Sequence, residues 1–294
     1  MARITVPIAL IIFKRTDTLR RIAGILSSHD IKKLFIIADG PRTDTERNET
    51  NTARKIAERI NADEVVKIYS DRNLGLKTNV TQGLSKALLE EPNLVVLEDD
   101  TLPSNSFLVS CESISQASFE PNIAGFCGTS FLPKMAKQQI WRSAKFNVWG
   151  WMVNGSVWRE FLDSGFLEMG TQELEKKRET LNNLPLLARW EMLRIIRALD
   201  TIDTWDVQFE MFCLANNYQF LKPGQNLVQN IGFDASATNT SNFGQSLSIR
   251  AWGEKVDLSE FRKNRQPLLE WLEHSAKFAR LGLELIKRKT LGRF

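Results

Sequence analysis

The first hundred residues alternate between two hydrophobic periods, and the alternation sets the order of elements. Pro7–Phe13 is a continuous apolar run that predicts a buried strand, and Thr16 or Asp17 caps a helix whose Leu19, Ile22, Ala23 and Leu26 recur at helical spacing. Lys33–Ala38 predicts a second strand, closed by the turn signal Asp39-Gly40-Pro41. A polar helix over Asp44–Ile60 and a strand over Glu64–Tyr69 follow. Lys77–Leu89 then reads as an amphipathic helix with Val80, Leu84, Ala87 and Leu88 inward. Leu94-Val95-Val96-Leu97 is short, apolar and β-branched, lies between Pro92-Asn93 and Pro103, and predicts a fourth strand. This β-α-β-α-β-α-β order predicts an α/β fold, a Rossmann-like and mostly parallel sheet with helices on both faces. Such sheets bind ligands at the carboxyl ends of their strands.

That rule gathers Lys14-Arg15, Asp39-Gly40, Asp71-Arg72-Asn73 and Glu98-Asp99-Asp100 on one edge. The second half is less regular. Ile123–Cys127 predicts a strand, Phe146–Trp151 is aromatic and broken by Gly150, and a helix starts near Ser156. Leu174–Leu199 reads as two helices separated at Asn182–Pro185. Trp205-Asp206 opens another helix, Asn226–Thr240 is a polar loop, and the tail from about Leu258 is expected to be helical. The expected division is residues 1–250 as the main domain and 251–294 as a C-terminal helical extension.

Composition changes this picture little. The net charge of +4 is too small for a nucleic-acid-binding surface, and most of the excess lies near the C-terminus in Lys277, Arg280, Lys287, Arg288, Lys289 and Arg293. Those charges, with Leu272, Phe278, Leu281, Leu285 and Ile286, suggest a helix over about Arg262–Arg293 that either packs on the domain or touches anionic lipid weakly. Cys111, Cys127 and Cys213 show no metal or disulfide spacing and favour a reducing compartment, hence the cytoplasm. Val6–Phe13 is too short to span a bilayer and lacks a signal-peptide cleavage pattern.

The chemistry concentrates at Glu98-Asp99-Asp100. Three adjacent carboxylates at a buried strand end repel one another unless a cation joins them, and oxygen ligands suit Mg²⁺ or Mn²⁺ bridging to nucleotide phosphates. A solvated acidic turn is the plain alternative. Neither G-x-G-x-x-G after the first strand nor G-x-x-x-x-G-K-[ST] anywhere is present, which disfavours dinucleotide and P-loop sites. Asp206, opening a helix beside Trp205, is suited to general-base work, or is simply an N-terminal helix acid stabilised by the dipole.

Taken in order, Arg15, Ala38-Asp39-Gly40-Pro41, Arg72-Asn73-Leu74-Gly75-Leu76, Glu98-Asp99-Asp100, Trp149-Gly150-Trp151, Trp205-Asp206 and Asn230-Ile231-Gly232-Phe233 resemble the nucleotide-sugar glycosyltransferases of GT-A fold. The E-D-D in place of D-x-D is similar to N-acetylglucosaminyltransferase I and its bacterial relatives. The resemblance covers roughly residues 5–240 and implies a UDP-sugar donor, a Mn²⁺ or Mg²⁺ cofactor, and a glycan or lipid-linked acceptor. It implies Asp100 as metal ligand, with Glu98 and Asp99 orienting ribose and sugar. Asp39 would contact the base, and Arg15 and Arg72 the base or diphosphate. Trp149 and Trp151 would wall the sugar site, and Asp206 would be the base of an inverting transfer, with Glu210 as substitute. Related sequences carry A-T-H-T where this chain has Ala237-Thr238-Asn239-Thr240, so Asn239 is the expected last metal ligand through its amide oxygen. A sugar nucleotidyltransferase and a non-catalytic nucleotide-sugar or glycan-binding protein are the alternatives; the first usually needs a glycine-rich loop after the first strand, which is absent.

Overall fold

The computed structural model describes residues 2–132, 139–232 and 257–290. The first half runs β1 (Arg3–Ile4), β2 (Ile8–Ile12), α1 (Thr16–Leu26), β3 (Asp30–Ala38), α2 (Asp44–Ala57), β4 (Ala62–Tyr69), α3 (Leu76–Glu90), β5 (Asn93–Glu98), β6 (Thr101–Pro103) and α4 (Asn105–Ala117). Then come β7 (Ile123–Cys127), β8 (Gln139–Ser143), β9 (Trp151–Asn154), α5 (Gly155–Asp163), α6 (Thr171–Lys176), α7 (Leu186–Ile196) and α8 (Asp206–Ala215). The chain continues with β10 (Gln219–Pro223), β11 (Val228–Asn230), β12 (Asp257–Arg265) and α9 (Pro267–Thr290).

The main sheet follows the order β4, β3, β2, β5, β9, β7, β10, β8, β12, with the two residues of β1 extending the β2 side of β3. β2 is parallel to β3 and to β5, and β3 to β4; β9 runs antiparallel between β5 and β7, and β8 antiparallel to β10. It is the mostly parallel α/β sheet that the hydrophobic periods predict. The strand period of two sends alternate residues to opposite faces. Ala9 and Ile11 join a core with Val80, Leu84, Trp158 and Phe209, while Ile8, Leu10 and Ile12 join one with Leu19, Ile22, Ala53 and Phe107. Helices α3, α5 and α8 therefore cover one face and α1, α2 and α4 the other.

Register positions the functional edge. Ile12 pairs with Ala38, Ile11 with Glu98, and Ala38 with Tyr69, so β4, β3, β2 and β5 end level. Chain order runs outward from β2 through β3 to β4, then resumes at β5 on the other side of β2. The crevice between the ends of β2 and β5 is thus the topological switch point, where open α/β sheets take ligands.

The tail departs from expectation. Asp257–Arg265, expected to be helical, is a strand parallel to β8, and the helix begins only at Pro267. Pairing with an available sheet edge outweighs weak local helix preference, and proline at the first helical position suits the later start. The boundary at 250/251 lies outside the described residues. No helix among the described residues is long and apolar enough to cross a membrane.

Candidate functional site

The turn after β5 holds the acidic triplet by local bonds. Glu98 N–H donates to Thr101 Oγ1 (2.7 Å), whose hydroxyl donates back to Glu98 O (3.1 Å), and Ile231 N–H donates to Asp100 O (2.8 Å). Asp99 is buried, its Oδ2 accepting from Phe13 N–H at the end of β2 (3.0 Å). Asp100 is ion-paired with Arg15. Gly232 lies directly over that pair: a Cβ there would overlap the Asp100 carboxylate and the Arg15 guanidinium. Burial, then the neighbouring carboxylates, push Asp99 up to about 7 and Glu98 up to about 8; Asp206 adds to the field on Glu98 and Arg15 opposes it. The crevice therefore favours additional positive charge.

Across the triplet stands a cationic rim of Lys14, Arg15 and Arg42. Glu46 accepts from Lys14 Nζ (2.8 Å) and Arg42 Nε (3.1 Å), and these bonds hold its carboxyl down at about 2. Arg42 was not singled out from sequence; its signal was its place just beyond the Gly40-Pro41 turn. Lys14, Arg15 and Arg42 line a cavity of about 480 Å³ with Asp39, Asn73, Asn79, Glu98, Asp99, Asp100, Trp149, Asp206 and Asn230. That volume lies within the range of small-ligand sites.

Asp39 departs from its expected role. Oδ1 accepts from Gly40 N–H and Leu74 N–H (both 2.8 Å), and Oδ2 from Asn73 Nδ2 (2.8 Å) and Gly75 N–H (3.2 Å). A carboxylate has about four acceptor positions, and all four are taken. Asp39 ties the β4–α3 loop to the end of β3 and has no position left for a base. Gly40 is required beside it, because a Cβ would strike the Arg72 backbone. The Arg72 side chain itself is exposed and is not among the groups lining the cavity. Lys77 Nζ donates to Leu167 O, and it too is not among the groups lining the cavity.

The two tryptophans separate. Gly150, at φ +64°, turns the chain so that Trp149 faces the cavity while Trp151 enters β9. Trp151 is fully buried, 4.8 Å from the Phe146 ring centroid and 5.8 Å from that of Trp205. It is a core residue, not a sugar-site wall, because the aromatic cluster of Phe146, Trp158, Trp205 and Phe209 encloses it. A sequence match to W-G-W could not distinguish the two rings; the glycine's positive φ does.

Asp206 is the first residue of α8. Its Oδ1 accepts from the Thr204 hydroxyl and from Val207 N–H (3.0 Å), and Trp205 beneath it is locked in the aromatic cluster. Asp206 also lines a second cavity, of about 290 Å³, formed with Phe131, Lys145, Asn147, Glu191, Ile202 and Lys277. The two cavities share Val148, Trp149, Asp203, Thr204 and Asp206. Glu210, the substitute base, is bound to buried Lys145 (2.7 Å) and to Phe146 N–H (3.2 Å). Asp203, also missed from sequence, accepts from Leu76 N–H (2.6 Å) and Lys77 N–H (3.2 Å) and so caps α3.

Among the described residues no three His, Cys, Asp or Glu side chains form a preassembled metal cage. Asn239 and Phe233 lie outside the described residues. The oxygen-only donor set and its unbalanced negative charge nevertheless fit a hard divalent ion held by one or two carboxylates plus substrate phosphates, the usual Mg²⁺ arrangement.

No family model and no curated protein matches the sequence. Similar solved structures include mouse xyloside xylosyltransferase 1 (10% identity, 53% of this chain and 69% of that chain, TM-score 0.31). Another is the glycosyltransferase GlyE of Streptococcus pneumoniae (10% identity, 73% of this chain, TM-score 0.34), of which the chain spans only 45%. A third is a UDP-glucose pyrophosphorylase complexed with UDP-glucose (12% identity, 53% of this chain and 79% of that chain, TM-score 0.28). Superpositions of this extent carry no argument about chemistry; the residues of the crevice must.

Proposed function

We propose that the protein is a glycosyltransferase of GT-A type that binds a nucleotide-diphospho-sugar, UDP-linked in the first instance, in the larger cavity. The sugar passes to a glycan or lipid-linked acceptor in the smaller one. The observation that carries this reading is the meeting of the two cavities at Asp206 and Trp149. A transferase needs a donor site and an acceptor site that share one wall, with a base on that wall.

In this reading Asp100 and Glu98 would hold Mn²⁺ or Mg²⁺ with the donor's phosphates, and the ion would supply charge neutralisation for the departing diphosphate. Lys14, Arg15 and Arg42 bind the phosphates from the opposite rim. Trp149 offers an aromatic face to the C–H face of the sugar at the junction. The hydrogen bonds at Asp206 Oδ1 fix the carboxylate, and Oδ2 takes the acceptor hydroxyl proton as that oxygen attacks the anomeric carbon, which inverts its configuration. A nucleotidyltransferase is disfavoured by the short connection from Ile12 to Thr16, which leaves no length for a glycine-rich loop.

The test is a thermal-shift panel of nucleotide sugars with Mn²⁺, followed by transfer assays on the donors that bind. A ligand at about 100 times its Kd stabilises by about 2.7 kcal/mol. Stabilisation by a UDP-sugar and transfer to an added glycan support the proposal. Stabilisation by nucleoside triphosphates with pyrophosphate exchange would replace it with the nucleotidyltransferase reading.

A further inference from the structure

The outward surface of α7 and α9 has a composition that neither the crevice nor the core explains. The two helices lie side by side and run in the same direction. Arg265 Nη2 donates to Asn183 O (2.5 Å) near their starts, and further on Trp190 meets Phe278 (ring centroids 5.8 Å) while Glu191 meets Lys277. On this pair Leu186 is 78% exposed, Leu268 69%, Trp190 55% and Trp271 50%. Leu186 and Trp190 are one turn apart on α7, Leu268 and Trp271 one turn apart on α9, and Trp271 and Phe278 share a face two turns apart. The four exposed residues therefore form one patch across the seam. The apolar face expected of the tail helix is distributed differently: Leu272, Phe278 and Leu281 are half-buried, with Phe278 packed against Trp190.

Charge sorts just as sharply. The acids on α7 and on residues 267–281 are Glu191, Glu270 and Glu273, and all three are buried. Glu191 binds Lys277, Glu270 binds Arg265 and accepts from Ala144 N–H (2.6 Å), and Glu273 binds Lys222 (2.7 Å). What remains toward solvent is cationic: Arg194 is exposed, Arg189 and Arg280 are half-buried, and Arg197 is exposed with Glu175 as partner. Further along the same helix the sequence adds Lys287-Arg288-Lys289 against Glu284 alone.

We propose that α7 and α9 form a docking face for the surface of an anionic bilayer, with Trp190 and Trp271 as interfacial anchors. Tryptophan rings settle at the headgroup level, where an apolar body and a polar N–H are both satisfied. Arginines beside them reach lipid phosphates, and each adds to a reversible, salt-sensitive attraction. A second copy of the chain fits this face poorly. A two-fold contact sets a patch against itself, which would bring Arg194 toward like charge, while the acids of α7 and of residues 267–281 are buried and turned away from it. The inference does not rest on the glycosyltransferase reading.

The experiment is co-sedimentation of the full chain with phosphatidylcholine vesicles, with and without one-third phosphatidylglycerol. The wild type is compared with Trp190→Ser/Trp271→Ser, Leu186→Ser/Leu268→Ser and Arg194→Glu, each checked for folding by circular dichroism. The wild type is expected to partition onto the anionic vesicles only, less so at high salt. Either double variant should weaken partitioning roughly tenfold, and Arg194→Glu should weaken it by a smaller factor. The leucine pair keeps the test open if the tryptophan pair fails to fold. Absence of wild-type partitioning at low salt, or partitioning unchanged in a folded double variant, overturns the proposal. So does a wild-type dimer in light scattering that either double variant dissociates, which would assign the face to a second copy.

Discussion

Lys222 and Glu273 are 0% and 2% exposed, with Nζ and Oε2 2.7 Å apart. Glu273 Oε1 also accepts from Phe131 N–H (3.2 Å) and Asn147 Nδ2 (3.1 Å), so this one carboxylate joins α9 to β10 and to the wall of the smaller cavity. An intact buried pair adds little net stability, but removing one partner leaves an uncompensated charge. Lys222→Met is therefore expected to cost about 3–5 kcal/mol, on the order of 10 °C in Tm for a chain of this size. The loss should depend on pH in a defined direction. In the wild type burial raises the Glu273 carboxyl, but Lys222 and His274 outweigh it and hold it below the usual range. Its contribution is then present above the unfolded-state pKa and disappears as pH falls through the folded value. In the variant burial is no longer opposed by Lys222, the carboxyl rises above its unfolded value, and stability returns as pH falls through it. The gap between the two proteins should be widest near pH 7.5 and narrower near pH 5. Thermal melting by circular dichroism at both values measures it. A variant as stable as wild type, or a gap independent of pH, would refute the reasoning.

Asp206→Asn should fold and bind donor normally yet lose roughly 10²–10⁴-fold in turnover, measured by nucleotide release with acceptor present; near-normal turnover would move the base elsewhere. Gly232→Ala drives a methyl group into the Asp100–Arg15 pair and should cost about 1–3 kcal/mol in urea unfolding, with weaker metal-dependent nucleotide binding. Asp39→Asn turns one of the two acceptor oxygens into a donor, so that either Gly75 N–H and Asn73 Nδ2 or Gly40 N–H and Leu74 N–H lose their acceptor, and should cost about 1–3 kcal/mol. Unchanged stability with lost nucleotide affinity would return Asp39 to base recognition.

The order of the first four main strands and the convergence of their polar ends were legible because period-two apolar runs, helical spacing and turn residues all agreed there. The second half resisted for a physical reason: β8, β9 and β10 are short and acquire their form from neighbours rather than from a pattern of their own. Asp257–Arg265 is a strand only because β8 offers an edge. At the site, residue type and position sufficed to bring the acidic triplet, Arg15 and Asp206, which sit at element ends, to one cavity; the roles given to them belong to the proposed function. Type and position did not suffice for Asp39, whose acceptors are filled by a loop 35 residues on, as its bond to Leu74 shows. Trp151 was likewise ambiguous, because stacking platforms and core aromatics look alike in sequence. The buried pairs of Glu191, Glu270 and Glu273 were hidden in what reads as an ordinary charged helix.

In the proposed function the crevice at the switch point binds a nucleoside diphosphate together with a divalent cation through Asp100. Isothermal titration calorimetry of UDP into the wild type and Asp100→Asn, each with Mn²⁺ and with chelator, tests it directly. Clear binding to the wild type with Mn²⁺, at least tenfold weaker binding with chelator, and little metal dependence in Asp100→Asn are expected. Equal wild-type affinity with and without the metal, or full metal dependence retained in Asp100→Asn, would contradict the proposal.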